Sequence, residues 1–509
     1  MQMERSRFRL HASYSKRLGA NCRHVAVLLL LACSASAFRD QHESAKSITI
    51  SISPARATIP SCGTQQFATG VTEAADSKLT WSGTGSGTVP SSGLYSTQST
   101  SAKPTASAAV SRATNSINSA SAPGTVVAKF SAKNIIPSSL FGMTLVEKRN
   151  WPTVQVGVLG KGTATTWGYI QKKEGVFDWT NLDAWVNTAQ SHGVDFVYAN
   201  DGSPPWAVSD KSGCAPHYSA GPPICNSMVS DLRDFDNFVA ALAARYKGRI
   251  KAYELWNEPD QGSSWAGTMA DFVTLTQHMY NIIRSTDPAA MIIGPAPQQV
   301  SLSATWLDRY FAAGGVRTID AVTTHCYPHH FADIPEAIVE YGAAAKRVMA
   351  KYGLTGKPLW CTEGSWGLQT QPGWQVTDQD EQAGFVGRYY LLSWSNGFSR
   401  LYWYAWDNAE WGPLWDSTNG IHQAGIAYEQ VYHWMVGAAM NAPCSVSGTV
   451  WTCGLVRPGG YQALAVWNTS GSSIYTPISQ YTRYRDLTGN AFTITNRSVK
   501  IGFRPVLLE

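Results

Sequence analysis

The feature that most constrains the fold is an eightfold alternation of short apolar runs with helix-like stretches between residues 135 and 437. This alternation is typical of parallel strands joined by crossover helices, because each helix returns the chain to the starting edge of the sheet. Roughly 300 residues for eight such units favour a closed (β/α)8 barrel of the α/β class over an open sheet. The predicted strands are 140–145, 153–159, 194–199, 250–256, 291–295, 319–324, 357–362 and 400–406.

Two of the intervening helices are indicated by their own residues. The stretch 181–192 ends at Gly193, a residue that readily adopts the left-handed conformation closing a helix. The stretch 231–246 has apolar residues at helical spacing, which predicts one buried face. Both stretches are therefore expected to pack against the barrel as crossover helices.

The sequences flanking the barrel alternate with a period of two and have no helical periodicity. Residues 47–130 are rich in small polar residues and resemble bacterial immunoglobulin-like domains, with Trp81 expected in the core of a β-sandwich. That resemblance implies a spacer or adhesion module, which could contact a cell surface or a polysaccharide. Residues 438–509 predict a small C-terminal β-sandwich, which could pack against the barrel or bind carbohydrate itself.

The first 37 residues have the pattern of an export signal: basic residues, the apolar run 25–32 and small residues ending at Ala37. The apolar run is shorter than the ~20 residues that a membrane-spanning helix needs. We therefore expect a secreted or cell-surface protein. In an alternative interpretation, residues 30–33 resemble a lipoprotein cleavage site, and Cys33 would carry a lipid anchor.

Two pairs of cysteines lie close together in the sequence and bracket a loop or a hairpin: Cys214 with Cys225, and Cys444 with Cys453. An oxidising compartment would close both as local disulfides. Cys326 and Cys361 follow neighbouring predicted strands and could be either two buried thiols or a further disulfide. None of these pairs has the spacing of a zinc site.

The composition excludes some classes of partner. A net charge of +5 is small for 509 residues, and the basic residues form no stripe, so nucleic acid is not an expected partner. The chain contains 20 tryptophans but only 15% charged residues, a bias that suits neutral, partly apolar ligands. Carbohydrates are such ligands.

Two glutamates follow strands four and seven, at the face of a barrel where catalytic residues gather. Glu258 lies in the segment Tyr-Glu-Leu-Trp-Asn-Glu-Pro, and Glu363 lies in Leu-Trp-Cys-Thr-Glu-Gly. Strands four and seven face each other across the barrel mouth, so the two carboxyl groups can approach to the ~5 Å of a double-displacement glycosidase. Glu258 is the predicted acid/base and Glu363 the predicted nucleophile.

Both segments resemble the clan A glycoside hydrolases. Residues 174–179, 193–198 and 203–207 are most similar to family 39, with family 5 as the second choice. This resemblance implies that Asn257 hydrogen-bonds the 2-hydroxyl of the sugar and that Tyr327 contacts the nucleophile. The clan has an Arg after strand two, where this sequence has Lys161; Lys161 is expected to replace it, although an ammonium lacks the planar fork of a guanidinium.

Other residues near the strand ends are predicted to bind the sugar. His325 is expected to line the site, and its cluster with His329 and His330 lacks the spacing of known zinc motifs. Three tryptophans are candidates for stacking on pyranose rings: Trp206, Trp403 and Trp406. Because Trp403 and Trp406 are three residues apart, only one of them should face the site.

The sequence thus predicts a retaining glycoside hydrolase that cleaves β-linked oligo- or polysaccharides of the xylan or glucan type, without a metal or other cofactor. A transglycosylase using the same two glutamates is one alternative. Another is a carbohydrate-binding or adhesion protein whose barrel is inactive, an idea motivated by the immunoglobulin-like unit and the missing Arg.

Overall fold

The computed structural model describes residues 135–509 apart from 217–220, 299, 328–333, 368–377 and 441, with the backbone alone at 300–303. It also describes the backbone of nine short strands between residues 49 and 115. The predicted export signal 1–37, including Cys33, and the histidines His329 and His330 lie outside the described residues. Within the described ranges, no helix combines the length and apolar character that crossing a membrane requires.

The nine N-terminal strands pair only in antiparallel fashion, as β1 with β4, β2 with β8, β7 between β3 and β6, and β5 with β9. An all-β backbone agrees with the alternating sequence, and the resemblance to an immunoglobulin-like domain stays a prediction. The strands are β1 Thr49–Ser53, β2 Ala57–Pro60, β3 Thr64–Gln66, β4 Ala68–Thr72, β5 Leu79–Ser82, β6 Gly87–Thr88, β7 Leu94–Thr97, β8 Thr105–Ala108 and β9 Arg112–Asn115.

The predicted barrel is confirmed: eight parallel strands close on themselves in chain order, with the last strand pairing with the first. These strands are β10 Phe141–Met143, β11 Val158–Leu159, β12 Asp195–Ala199, β15 Ala252–Glu254, β16 Met291–Pro295, β17 Ala321–His325, β18 Leu359–Gly364 and β19 Phe398–Trp403. Short antiparallel hairpins interrupt two of the loops: β13 Ala215–Pro216 with β14 Pro223–Ile224, and β20 Trp415–Asp416 with β21 Gly420–Ile421.

The barrel strands are nearly continuous apolar runs because they are buried on both faces. Their inner side chains form one cluster to which seven strands contribute: Val158, Val197, Ala252, Ile293, Ala321, Trp360 and Tyr402. This cluster is a filled core and leaves no channel through the barrel. Function must therefore lie at the strand ends.

Eight α-helices surround the barrel in the described part of the chain: α1 Trp167–Ile170, α2 Thr180–Ser191, α3 Leu232–Arg245, α4 Met269–Thr286, α5 Val300–Ala312, α6 Ala337–Lys351, α7 Gln379–Ser395 and α8 Gln423–Met435. The two helices predicted from sequence, α2 and α3, differ from their expected bounds by one residue at each end. Local chemistry sets some of these ends: Asp231 caps α3, and Thr268 and Asp271 form a capping box on α4.

The C-terminal region forms a six-stranded antiparallel sheet of order β22-β23-β24-β29-β26-β27, accompanied by the pair β25 and β28. An apolar cluster including Val466 and Ile501 lies between the two sheets, as a sandwich requires. The strands are β22 Ser445–Ser447, β23 Val450–Val456, β24 Gln462–Asn468, β25 Ser473–Tyr475, β26 Arg483–Arg485, β27 Ala491–Thr493, β28 Val499–Ile501 and β29 Val506–Leu508.

The six-stranded sheet also packs against the barrel, since Cys453, Leu455 and Trp467 belong to the same apolar core as the barrel helices. Helix α7 is buried along most of its length, and a Cβ added at Gly384 would lie 2.7 Å from Phe503. A buried ion pair joins Arg388 of α7 to Glu336, whose other oxygen accepts a hydrogen bond of 2.8 Å from the Trp467 indole. Barrel and C-terminal sandwich therefore share one core.

Both predicted local disulfides are present, Cys214–Cys225 and Cys444–Cys453. Cys326 and Cys361 are buried free thiols, which settles the alternative left open by the sequence. The thiol of Cys361 donates to the backbone carbonyl of Glu363 at 3.2 Å. The pair thus supports the backbone next to a predicted catalytic residue.

Candidate active site

The two predicted catalytic glutamates lie at the carboxyl ends of barrel strands four and seven. Glu363 is in β18, and Glu258 follows the end of β15 by four residues. The backbone of Glu258 is left-handed with φ 48°, and its N–H donates to the carbonyl of Ala296, which has φ 56°. Non-glycine residues are strained in this conformation, and such strain concentrates at functional sites.

The two carboxyl groups converge. One oxygen of Glu258, one oxygen of Glu363 and one ring nitrogen of His325 all lie within 4.8 Å of one another. A retaining glycosidase places its two carboxyl groups ~5 Å apart, whereas an inverting enzyme leaves ~6.5–9.5 Å for a water molecule. The observed separation therefore suits attack by one carboxylate on the sugar itself.

His325 is the residue that connects the two glutamates. It is fully buried, with Nδ1 2.7 Å from Glu258 Oε1 and 3.5 Å from Glu363 Oε2. Burial lowers the pKa of His325, but the negative charges of Glu363 and Glu258 outweigh burial and raise the pKa above its ordinary value. The imidazole thus faces the catalytic carboxyls directly, in agreement with its predicted position.

Lys161 occupies the position expected for the missing Arg. Its ammonium forms an ion pair with Glu363 Oε1 and donates to Asn257 Oδ1 at 2.5 Å. Burial raises the pKa of Glu363, but the positive charges of His325 and Lys161 outweigh burial and hold the pKa below its ordinary value. Lys161 therefore keeps the predicted nucleophile ionised.

Tyr327 donates a hydrogen bond of 2.9 Å to Glu363 Oε2. Burial raises the pKa of the Tyr327 hydroxyl well above its ordinary value, so it remains a donor at neutral pH. Each oxygen of Glu363 thus has its own partner, Lys161 on one side and Tyr327 on the other. The contact between Tyr327 and the nucleophile matches the role that the clan resemblance implied.

Two of the three predicted sugar-stacking tryptophans are not placed as predicted. Trp403 and Trp406 are 0% and 1% exposed, so neither ring presents a face to a sugar, and the prediction of stacking on one of them is wrong. The indole of Trp403 donates to the carbonyl of Gly412. Trp206 is only partly buried, but it packs edge-on against Trp167 and donates to the carbonyl of Gln171, which fixes it in the wall of the barrel.

Residues that the sequence did not indicate line a pocket beside Lys161 and Asn257. This central pocket is walled by residues that follow strands one to four and eight, including Thr144, Asp201 and Tyr404. None of these three residues belongs to a motif, so only the convergence of five strands identifies them.

Glu258, His325 and Glu363 are close enough to ligate a metal ion. However, the ammonium of Lys161 already lies against Glu363, and the imidazole of His325 bridges the two carboxyls. Two cationic groups therefore occupy the position where a metal would balance the negative charge. The arrangement suits acid–base and nucleophilic chemistry by the glutamates themselves.

Residues 183–413 match a family model described as the glycosyl hydrolase catalytic core. This match, the closed barrel and the pair of facing glutamates are all similar to the glycoside hydrolases, in agreement with the resemblance to clan A. No curated protein sequence matches the chain closely enough to serve as a relative.

Solved structures of glycoside hydrolases share the fold. A family 39 enzyme from the gut symbiont Bacteroides cellulosilyticus WH2 is similar over 89% of this chain and 94% of its own, with a TM-score of 0.59 and 15% identity. A monomeric beta-xylosidase from Caulobacter crescentus CB15 covers 74% of this chain and 96% of its own, with a TM-score of 0.53 and 14% identity. A glucosidase from Croceicoccus marinus is similar over 74% of this chain and 96% of its own, with a TM-score of 0.51 and 11% identity.

Proposed function

We propose that the protein is a retaining β-glycosidase acting on β-linked sugars of the xylose or glucose type. The observation that carries this proposal is the approach of Glu258, His325 and Glu363 to within 4.8 Å of one another. Xylosidase and glucosidase activities are those named for similar structures, and they supply the sugar class. The central pocket, beside Lys161 and Asn257, receives the sugar that is transferred.

The reaction proceeds in two steps. Glu363 attacks the anomeric carbon while Glu258 donates its proton to the departing glycosidic oxygen, which leaves a glycosyl ester on Glu363. Glu258, now a carboxylate, removes a proton from water, and the resulting attack releases the sugar with retained configuration and restores both residues. Asn257, oriented by Lys161, holds the 2-hydroxyl of the sugar through its side-chain amide.

The ion pair between Lys161 and Glu363 argues against an inactive barrel. That alternative was motivated by the absence of an Arg, and the ammonium supplies the positive charge in its place. Transfer to a second sugar uses the same glycosyl ester, so analysis of products at high acceptor concentration distinguishes a transglycosylase from a hydrolase.

The test combines two variants with the stereochemistry of the product. Glu363→Ala should abolish turnover, whereas Glu258→Ala should lose most activity on poor leaving groups and retain more on aryl glycosides with activated leaving groups. The first product seen by NMR should be the β-anomer. Near-normal activity of either variant, or an α-anomer as first product, would reject the proposal.

We also propose that the protein is exported, with residues 1–37 as the signal. The disulfides Cys214–Cys225 and Cys444–Cys453 support an oxidising compartment. Expression in a bacterial host and fractionation should recover activity outside the cytoplasm. Removal of residues 1–37 should leave the protein inside, and a protein equally distributed with and without this segment would contradict export.

For residues 47–130 we propose contact with a cell surface or with insoluble polysaccharide. The antiparallel pairing of strands β1 to β9 supports a separate all-β unit. Deletion of 47–130 should leave hydrolysis of soluble substrates unchanged and reduce retention on insoluble xylan or on cells. Equal retention of both forms would show that this region has another role.

A further inference from the structure

A second cavity lies next to the central pocket, between the loops that follow barrel strands one and two. This rim pocket is bordered by the segment 146–148, the helix α1 and the start of α2. Thr163 and Ala164 line both pockets and form the ridge between them. A ligand larger than one sugar can therefore extend from the central pocket across this ridge.

The ridge has an unusual backbone. Ala164 is left-handed with φ 57°, and its carbonyl, like that of Thr163, accepts a hydrogen bond from the Asn181 side chain. A non-glycine residue keeps this conformation only when its surroundings fix it, and such residues cluster at ligand sites. Asn181 thus fixes the wall that separates the two pockets.

The charges that line the rim pocket are balanced. Glu147 and Asp178 face Lys148 and Lys172, so the cavity favours neither an anion nor a cation. Lys148 is further held by Asn181, to which it donates at 3.0 Å. A neutral ligand rich in hydroxyl groups suits this mixture of donors and acceptors.

Tyr169 of α1 is the partly exposed aromatic residue of this wall. Aromatic rings complement the apolar face of a pyranose, while polar groups around the ring bind its hydroxyls. By contrast, Trp185 in the same wall is 1% exposed and serves as packing beneath it. Tyr169 is therefore the residue best placed to carry sugar binding in the rim pocket.

The central pocket has hydroxyl groups of its own for a sugar. Thr144 and Thr166 are 3% and 8% exposed, and within the described part of the chain their hydroxyls have no hydrogen-bond partner. Buried polar groups are usually paired, so these two are suited to a ligand. Their pocket lies on the side of Lys161 and Asn257, which places the transferred sugar there and the rim pocket beyond it.

We propose that the rim pocket binds the second sugar of a neutral β-linked oligosaccharide whose adjoining sugar fills the central pocket. The inference rests on the proposed function and extends it. The enzyme then acts on chains with at least two sugars on the transferred side, and it releases oligosaccharides in preference to single terminal sugars.

The test compares p-nitrophenyl β-xyloside with p-nitrophenyl β-xylobioside, and the β-glucoside with the β-cellobioside. In one of these two series, the wild type should have a kcat/KM about tenfold higher on the disaccharide glycoside than on the monosaccharide glycoside, because binding of the remote sugar accelerates cleavage. Tyr169→Ala should lower the disaccharide-to-monosaccharide ratio by about tenfold. Tyr280→Ala, which alters a partly exposed tyrosine on α4 outside both pockets, is the control and should keep the ratio.

Equal kcat/KM values for both substrate lengths in both series would overturn the proposal, and so would a Tyr169→Ala variant that keeps the wild-type ratio. Tyr169→Leu replaces Tyr169→Ala if the latter does not fold. A second readout is calorimetry on Glu363→Gln with xylotriose and cellotriose, compared with xylose and glucose. If the wild type cleaves none of these substrates, the proposed function fails. The rim pocket is then judged by trisaccharide binding to Glu363→Gln with and without Tyr169→Ala. Weaker binding in the double variant supports sugar binding in the rim pocket, and unchanged binding rejects it.

Discussion

Lys161 and Glu363 form an ion pair across the barrel mouth, from the loop after the second strand to the seventh strand. The same ammonium binds Asn257, so a single lysine orients the proposed nucleophile and the residue beside the proposed acid/base. An Arg would provide several donors in a fixed fork, whereas the ammonium reaches both partners as one point charge. Lys161 and His325 are therefore the two basic residues that hold the carboxyl groups of this site in place.

Replacing Lys161 should move the acid limb of activity. In Lys161→Met the nucleophile loses one of the positive charges that hold its pKa below 4.5. The acid limb of kcat/KM should move to higher pH, because the pKa of Glu363 rises when this charge is removed, and kcat/KM at neutral pH should fall about 10²-fold. A pH–rate profile on an aryl glycoside measures both. Lys351→Met, which removes an exposed ion pair with Asp308, should change neither.

Removing the Tyr327 hydroxyl should reduce kcat/KM, and it should move the pH profile less than Lys161→Met does. Tyr327→Phe deletes one hydrogen bond of 2.9 Å to a buried carboxylate, an interaction of about 1.5–3 kcal/mol. We expect kcat/KM to fall by about 10- to 100-fold. Tyr352→Phe removes a hydroxyl that donates to the backbone carbonyl of Asp308 and should leave kinetics unchanged. Full activity in Tyr327→Phe would show that this contact is dispensable.

Stability should depend on pH through His325 and Glu363. The pKa of His325 is raised above 6.5 in the fold, so its contribution is complete below that pH and is lost as the pH rises through the raised value. Glu363 has a lowered pKa, so its contribution is present above pH 4.5 and is lost as the pH falls through the lowered value.

The difference in Tm between wild type and His325→Gln should therefore shrink as the pH rises above neutrality. Between Glu363→Gln and wild type, the difference should instead shrink as the pH falls below 4.5. Thermal unfolding at a series of pH values measures both differences. A His325→Gln difference that grows with pH would have the wrong sign and would exclude a raised pKa.

The buried pair of Glu336 and Arg388 predicts a large loss of stability. Glu336→Ala leaves Arg388 buried without its carboxylate and removes the acceptor of the Trp467 indole. Loss of one partner of a buried pair lowers the free energy of unfolding by about 3–5 kcal/mol. Urea denaturation followed by tryptophan fluorescence measures the change. Asp308→Ala, in an exposed pair with Lys351, should hardly move the midpoint, because solvent screens that pair.

The sequence was sufficient for the barrel and for the two glutamates because both rest on repeated or local patterns. Eight apolar runs fix eight strands, and the position of Glu258 and Glu363 at strand ends follows from chain order alone. The thiols Cys326 and Cys361 were undecided, since their pairing depends on a geometry that spacing does not encode.

The positions of Trp403 and Trp406 could not be predicted from the sequence. Trp403 is the last residue of β19, and Trp406 lies beyond it, so the alternation of a strand no longer determines where the latter points. Both rings are buried in the barrel core, while Tyr404 between them lines the central pocket. Thr144, Asp201 and Tyr404 follow strands one, three and eight, and their meeting depends on the closure of the barrel, which no local sequence pattern encodes.

The apolar core around α7 is shared by the barrel and the C-terminal sandwich, so neither part is expected to be stable without the other. Helix α7 is covered by the barrel on one side and by the C-terminal region on the other, so removing either would expose its apolar residues to water. The lack of a side chain at Gly384 lets Phe503 approach this helix closely. Residues 438–509 are therefore expected to fold only together with the barrel, and a shortened form of the protein should need the chain through β29 to remain stable.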